Sequence, residues 1–276
     1  MQATWLDKQM ADLGFSIPGP STERRLVIAS GMKEKGGKTH FGMTAPARIG
    51  AVSIDQGTKE VAEKFIAMGK EIALCRIKTP PLIALLKKDK DRIDKSWIME
   101  HAEEEWERAK SAIISVIENY SSNRKSGSGF RSLLVDTATE FYELCRLARH
   151  GKLAQVLPHH YGPLNAEFRE LVKRAAERED LNCIWIHKRR KVYKENAKGE
   201  SNWTGEWERS GFADLAYLAD VNLENYYDYD QQVFGARMLD CRQNPACIGQ
   251  EFEGEFCNFT AVACSVFTDT KPSYWS

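Results

Sequence analysis

Arg25-Leu26-Val27-Ile28-Ala29-Ser30-Gly31-Met32-Lys33-Glu34-Lys35-Gly36-Gly37-Lys38-Thr39 places an apolar run, a glycine- and lysine-rich loop and the start of a helical pattern in immediate succession. The short apolar run ending at Ser30 predicts a buried strand. Glycines in the turn that follows let backbone N–H groups point at an anion, and a helix start adds positive potential. Gly31, Gly36, Gly37, Lys38, Thr39 and His40 are therefore the candidate phosphate-binding residues. Lys38 is placed to reach the outer phosphates of a nucleotide, and the Thr39 hydroxyl to bind magnesium. A strict loop of this type has glycine five residues before Gly37, where Met32 stands; Gly31 is one residue further back.

Working outward, Ile49–Ile54 predicts a second strand that closes on Asp55, residues 58–69 a helix, and Ile72–Ile77 a third strand stopped by Thr79-Pro80-Pro81, since proline gives no N–H to a ladder. Residues 95–120 carry helical periodicity, Ser121–Gly129 a polar loop, and Leu133–Val135 a strand that closes on Asp136. A helix follows through Arg146, another covers 165–178, and Leu181–Ile186 is a strand, followed by a polar segment to about Gly211. In the tail, Arg237–Arg242 and Phe256–Phe267 predict two more strands. Strands alternating with helices imply a mostly parallel sheet covered on both faces, an α/β fold, with functional loops beyond the carboxyl ends of the strands.

The bulk composition is that of a globular chain: 276 residues, 42% hydrophobic and 28% charged, with Lys plus Arg equal to Asp plus Glu at 39 each. A balanced charge excludes a polycation, so any nucleic-acid contact requires a local patch. No stretch approaches the roughly 18–20 apolar residues of a membrane span. The first 20 residues contain no apolar run of signal-peptide length. The expectation is a soluble, cytoplasmic protein. Seven cysteines, with Cys75, Cys145 and Cys183 inside apolar runs, read as reduced thiols.

Two strand-end carboxylates carry the chemistry. Asp136 fits a magnesium-supporting position, and a helix N-cap is the alternative. Asp55 could orient an attacking water or serve as a turn residue before Gly57; Glu140, one helical turn beyond Asp136, is the rival base. Residues 188–198, Lys-Arg-Arg-Lys-Val-Tyr-Lys-Glu-Asn-Ala-Lys, hold six basic residues against Glu195. Trp203 and Trp207 follow. Cations that track phosphates beside rings that stack on bases suit single-stranded nucleic acid, so Arg189, Arg190, Lys191, Lys194, Trp203 and Trp207 are candidate DNA contacts. A charged surface hairpin pairing Val192-Tyr193 with Trp203–Trp207 is the alternative.

The order of these parts resembles the RecA-type ATPase core of the P-loop superfamily from about Arg25 to Asp220. The resemblance is carried by Gly36–Thr39, Ser53-Ile54-Asp55, Leu133–Thr137 and Ile184–Lys188. More narrowly, Gly37–Phe41, Asp55–Thr58 and Val135–Glu140 resemble phage-encoded RecA-like ATPases, including single-strand annealing proteins of the Sak group. The resemblance implies a three-layer P-loop NTPase fold with a RecA-like central sheet. It implies ATP and Mg2+ as cofactors and a catalytic carboxylate at Asp55, where such proteins often have glutamate. It also implies a γ-phosphate sensor at His187 and Lys188, where an amide is usual. A homo-oligomer acting on single-stranded DNA in phage recombination or replication, within the host cytoplasm, is the corresponding function. The domain reading is an N-terminal arm over 1–22, then one RecA-like ATPase domain over 23–276 with a helical insertion near 79–131. Two other readings remain compatible with the residues. One is a nucleotide-gated assembly scaffold without significant turnover. The other is a small-molecule kinase using Arg189-Arg190 as a lid.

Overall fold

The computed structural model describes residues 24–32, 35–79, 95–123, 129–151, 158–195 and 201–275. The arm over 1–22, the parts of the insertion at 80–94 and 124–128, and most of the loop between Gly151 and His159 lie outside the described residues. The strands are β1 (Val27–Met32), β2 (Ile49–Ser53), β3 (Ile72–Arg76), β4 (Ser132–Asp136), β5 (Asn182–Glu195), β6 (Ser201–Arg209), β7 (Val221–Asp228), β8 (Val233–Cys241) and β9 (Glu251–Glu253). The helices are α1 (Lys38–Met43), α2 (Thr58–Ala67), α3 (Lys95–Asn123), α4 (Ala138–His150), α5 (Tyr161–Ala176), α6 (Leu215–Leu218) and α7 (Phe259–Val266).

The sheet runs β3-β2-β4-β5-β1-β7-β8-β9, with β6 paired to β5 beyond the main path. From β3 to β7 every neighbouring pair is parallel; β8 and β9 extend the edge antiparallel. Each parallel connection needs a crossover, and the helices that make these crossovers cover the sheet. Alternate residues of one strand serve opposite cores. On β5, Cys183 and Trp185 pack with Trp106 of α3, Phe141 of α4 and Phe168 of α5. Ile184 and Ile186 pack with Phe41 of α1, Phe65 of α2 and Val262 of α7. These rings and branched chains are almost completely shielded, and burying each contributes roughly 1.5–3 kcal/mol. Three layers result, as the alternating pattern implies.

Three expectations need correction. Phe256–Phe267 is not a strand. Asn258 caps α7 by accepting from the Ala261 N–H at 2.8 Å, and Phe259, Val262, Ala263 and Val266 recur at helical spacing on its buried side. The β-branched and aromatic content of that run misleads because its period is not two. Second, the polar segment after Ile186 is strand: β5 continues to Glu195 and pairs with β6. Third, β7 replaces what the tail reading leaves without structure. Its partner β8 includes most of Arg237–Arg242.

Candidate nucleotide site

Strand order sets the site. The loop after β1, the end of β2 and the end of β4 all lie at the carboxyl edge of the parallel sheet, with β5 between β1 and β4. Gly36 and Gly37 are dictated by space and conformation. A Cβ on Gly36 would lie 2.7 Å from the Asn225 carbonyl of β7, and Gly37 has φ +75° with the Phe234 ring 2.8 Å from where its Cβ would be. Any larger residue would push the loop off the sheet. Gly37 stands directly before α1, so Lys38 and Thr39 form its first turn.

Thr39 Oγ1 donates to Asp136 Oδ2 at 2.9 Å. Thr58, the first residue of α2, donates to the same oxygen at 2.6 Å and accepts from Ser53 Oγ at 2.8 Å. Asp136 is 1% exposed, and its other oxygen, Oδ1, is buried with no hydrogen-bond partner among the described residues. Burial raises the Asp136 carboxyl above its ordinary range, opposed by the two threonine hydroxyls; Asp55 adds like charge and Lys38 opposes it. Asp136 does not cap α4; Thr137 does, accepting from the Glu140 N–H at 3.3 Å. A buried carboxylate with one satisfied oxygen and one bare oxygen is the donor set that suits a hard divalent cation. Thr39 and Asp136 are the residues that would hold it.

Asp55 is half-buried and accepts from the Gly57 N–H at 2.8 Å, so it makes the turn before α2 and also lines the cleft. Glu140 of α4 is paired with Lys188, midway along β5. His40 is exposed, with its ring edge-on to Phe65 at 4.8 Å. His187 lies beneath the loop, 1% exposed. Its Nε2 accepts from Arg209 Nε at 2.8 Å, and its Nδ1 donates to the Lys188 carbonyl at 3.1 Å. Burial, the Arg209 guanidinium and Lys38 hold the ring neutral, with its pKa near 3. Gly31 belongs to β1 and faces this ring: a Cβ there would lie 2.0 Å from His187 Cε1. The absence of a side chain at Gly31 thus has a packing reason.

The cleft lined by Gly36, Gly37, Lys38, Thr39, Asp55 and Asp136 measures about 1020 Å³. Lys35, Lys38, Lys64, Lys188 and Arg189 line it against the carboxylates of Asp55 and Asp136, so its field favours a polyanion. Its far wall carries Trp207, Tyr229 and Phe234.

No protein family matches the chain by sequence, and no curated protein does. Among solved structures, the crystal structure of the RadB recombinase aligns over 92% of this chain and 94% of that chain, at 11% identity and a TM-score of 0.44. The strand order and the loop-to-helix geometry decide the fold: a three-layer α/β fold with a mostly parallel central sheet.

Within that α/β frame, β5 and β6 form an antiparallel hairpin off the main path of the sheet. Arg189 pairs with Arg209, Lys191 with Trp207, Tyr193 with Trp203 and Lys194 with Asn202. Side chains of one face form a ladder: the Arg189 guanidinium is 4.0 Å from the centre of the Trp207 ring, and Lys191 Nζ is 4.9 Å from that of Trp203. Arg190 pairs with Glu208 at 2.7 Å instead. The paired-strand alternative for this segment is thus its observed backbone, and it still exposes Trp203 and Tyr193 by half. Thr58, Arg209, Tyr229 and Phe234 escaped the sequence reading. Thr58 follows Asp55 at a helix start, a signal that could have found it. The others come from elements β6, β7 and β8 and their turns, which no motif marks. No described helix is long and apolar enough to cross a membrane.

Proposed function

We propose that this chain binds ATP with magnesium in the cleft over Lys38, hydrolyses it, and couples that turnover to single-stranded DNA. The observation that carries the reading is the Thr39–Asp136 bond beside the bare Asp136 Oδ1, at the floor of a cation-rich cleft. Phosphoryl transfer asks little covalent chemistry of a protein; positioning and charge stabilisation suffice. The loop N–H groups and Lys38 hold the phosphates, while Thr39 and Asp136 hold the metal. Magnesium, when bound, neutralises charge on the outer phosphate oxygens. Asp55 stands at the cleft edge, beside Asp136, where a carboxylate can orient water. The hairpin cations and indoles supply backbone tracking and base stacking for a single strand. Oligomerisation is part of the same proposal and follows from the resemblance to RecA-type proteins, whose sites are often completed between subunits.

The deciding experiment measures phosphate release from ATP with and without magnesium and single-stranded DNA. Magnesium-dependent release, raised by DNA, is expected. ATP binding without turnover would favour the assembly scaffold, and transfer of phosphate to a small molecule would favour the kinase.

A further inference from the structure

Asn225 of β7 lies at the root of the loop that follows β1, and half of its amide is unused. The residue is 0% exposed. Its Oδ1 accepts from Ser30 Oγ at 2.5 Å, which holds the amide against β1 where the loop begins. Its Nδ2 is buried with no hydrogen-bond partner among the described residues. A buried donor left unmet costs stability, and native chains keep few of them. The loop closes on this residue: a Cβ on Gly36 would lie 2.7 Å from the Asn225 carbonyl oxygen and 3.2 Å from the Tyr226 nitrogen. Asn225 does not line the cleft, so it acts on a bound nucleotide through the loop. A trans peptide is planar, and its N–H and C=O point to opposite sides. An anion that draws the Gly36 N–H into the cleft therefore turns the Lys35 carbonyl inward, towards Asn225. Glycine at 36 permits that turn, because it takes φ of either sign at little cost.

We propose that Asn225 is a positioning residue: with nucleotide bound, its Nδ2 donates to the Lys35 carbonyl and so holds the Gly36 N–H on the β-phosphate. The proposal rests on the nucleotide reading above and deepens it, adding a residue behind the loop that lies outside the Gly-Lys-Thr motif. No bond is broken and no proton is exchanged. The donor that is unmet without nucleotide is met when the phosphate arrives, so the hydrogen bond strengthens binding rather than the resting fold. ADP and ATP share the β-phosphate and gain equally. Turnover at saturating ATP depends on the groups in the cleft and not on Asn225.

ADP and ATP affinities of wild type, Asn225→Leu, Asn225→Asp and Ser30→Ala are measured by calorimetry, alongside turnover over a range of ATP concentrations. Leucine matches asparagine closely in size and has no donor. Asn225→Leu should bind both nucleotides about 10-fold more weakly. KM should rise by the same factor, with kcat kept within about 3-fold, the pattern of lost uniform binding. Asn225→Asp keeps the acceptor for Ser30 and loses the donor, so it should bind at least as weakly. Ser30→Ala keeps Nδ2 and should bind as wild type does, whereas an amide that only braces β1 against β7 would suffer equally from either loss. In wild type carrying 15N in its asparagine side chains, the Asn225 Nδ2 resonance, assigned through its own backbone, should shift on adding ADP. That measurement decides the matter even where a variant fails to fold. Unchanged ADP affinity in Asn225→Leu, an equal loss in Ser30→Ala, or an Nδ2 resonance that ADP leaves in place overturns the inference, while ADP binding by wild type keeps the nucleotide reading intact. Failure of wild type to bind either nucleotide overturns the nucleotide reading itself, and this inference with it.

Discussion

Thr39 Oγ1 donates to Asp136 Oδ2 at 2.9 Å across 97 positions of sequence, joining the first turn of α1 to the end of β4. Asparagine at 136 keeps an acceptor for Thr39 and Thr58 but removes the charge that burial opposes. Because the folded carboxyl is raised above its ordinary value of 3.8, the folded chain binds the proton more tightly than the unfolded one. The penalty is therefore absent well below pH 3.8 and develops as pH rises through the raised value. Asp136→Asn should leave thermal stability at pH 7 equal to or above wild type without metal, and lower magnesium-dependent turnover by on the order of 100-fold. A variant less stable than wild type in metal-free buffer contradicts the assignment.

Lys38→Ala removes a point charge from the first turn of α1 and opens no core cavity, since Lys38 faces the cleft. ATP affinity should fall and turnover drop by on the order of 10²–10³-fold, with the unfolding midpoint nearly unchanged. Equilibrium binding of a fluorescent ATP analogue and phosphate release check both halves; normal turnover in a folded variant removes the central claim.

Asp55 and Glu140 separate by their partners. Glu140 is committed to Lys188, whereas Asp55 uses one oxygen for the Gly57 turn. Asp55→Asn should spare ATP binding and slow hydrolysis by about 10²–10⁴-fold, the range for a lost general base. Glu140→Gln should slow it less. Single-turnover rates at saturating ATP compare them directly, and the reverse ranking transfers the role to Glu140.

Gly31 and His187 form a packing pair, which gives a stability prediction remote from turnover. Gly31→Ala should cost about 1–3 kcal/mol by overpacking, and far less in a His187→Ala background. For the buried ring itself, the folded pKa near 3 lies below the ordinary 6.5. The unfolded chain takes up the proton first as pH falls, so stability is full above 6.5 and declines towards 3. The slope is at most about 1.4 kcal/mol per pH unit. Urea unfolding at pH 7 and pH 5 should show that decline in wild type and a smaller one in His187→Gln.

The contrast between Gly31 and Gly36 also marks how far the sequence could be read. Strand, loop and Gly-Lys-Thr are local, and the loop, Lys38, Thr39 and Asp136 converge as expected because each motif sits at the end of its own parallel strand. The packing reason for Gly31 is a ring 156 positions away on β5, invisible to any local pattern. Thr58 was within reach, as a helix-start hydroxyl. The α7 segment was misread because composition outweighed period. Arg209 depends on the β5–β6 pairing, which register alone determines.

The hairpin provides the DNA test, and its contacts sharpen it residue by residue. Arg190 is engaged by Glu208 and Arg189 faces the cleft, so Lys191 and Lys194 are the cations of choice for tracking phosphates. For single strands the slope of log K against log salt is about −0.7 per phosphate neutralised. Lys191→Ala and Lys194→Ala should each flatten it by up to about 0.7, whereas Arg190→Ala should change it little because its charge is already matched. Trp203 is half exposed, so Trp203→Ala should cost roughly 1–3 kcal/mol if a base stacks there, with the slope preserved. Titrating labelled single-stranded DNA across salt concentrations with ATP present reads all four variants. A solvated hairpin with no partner predicts no salt-sensitive binding in wild type. That result would withdraw the DNA half of the proposed function while leaving the nucleotide site standing on Thr39 and Asp136.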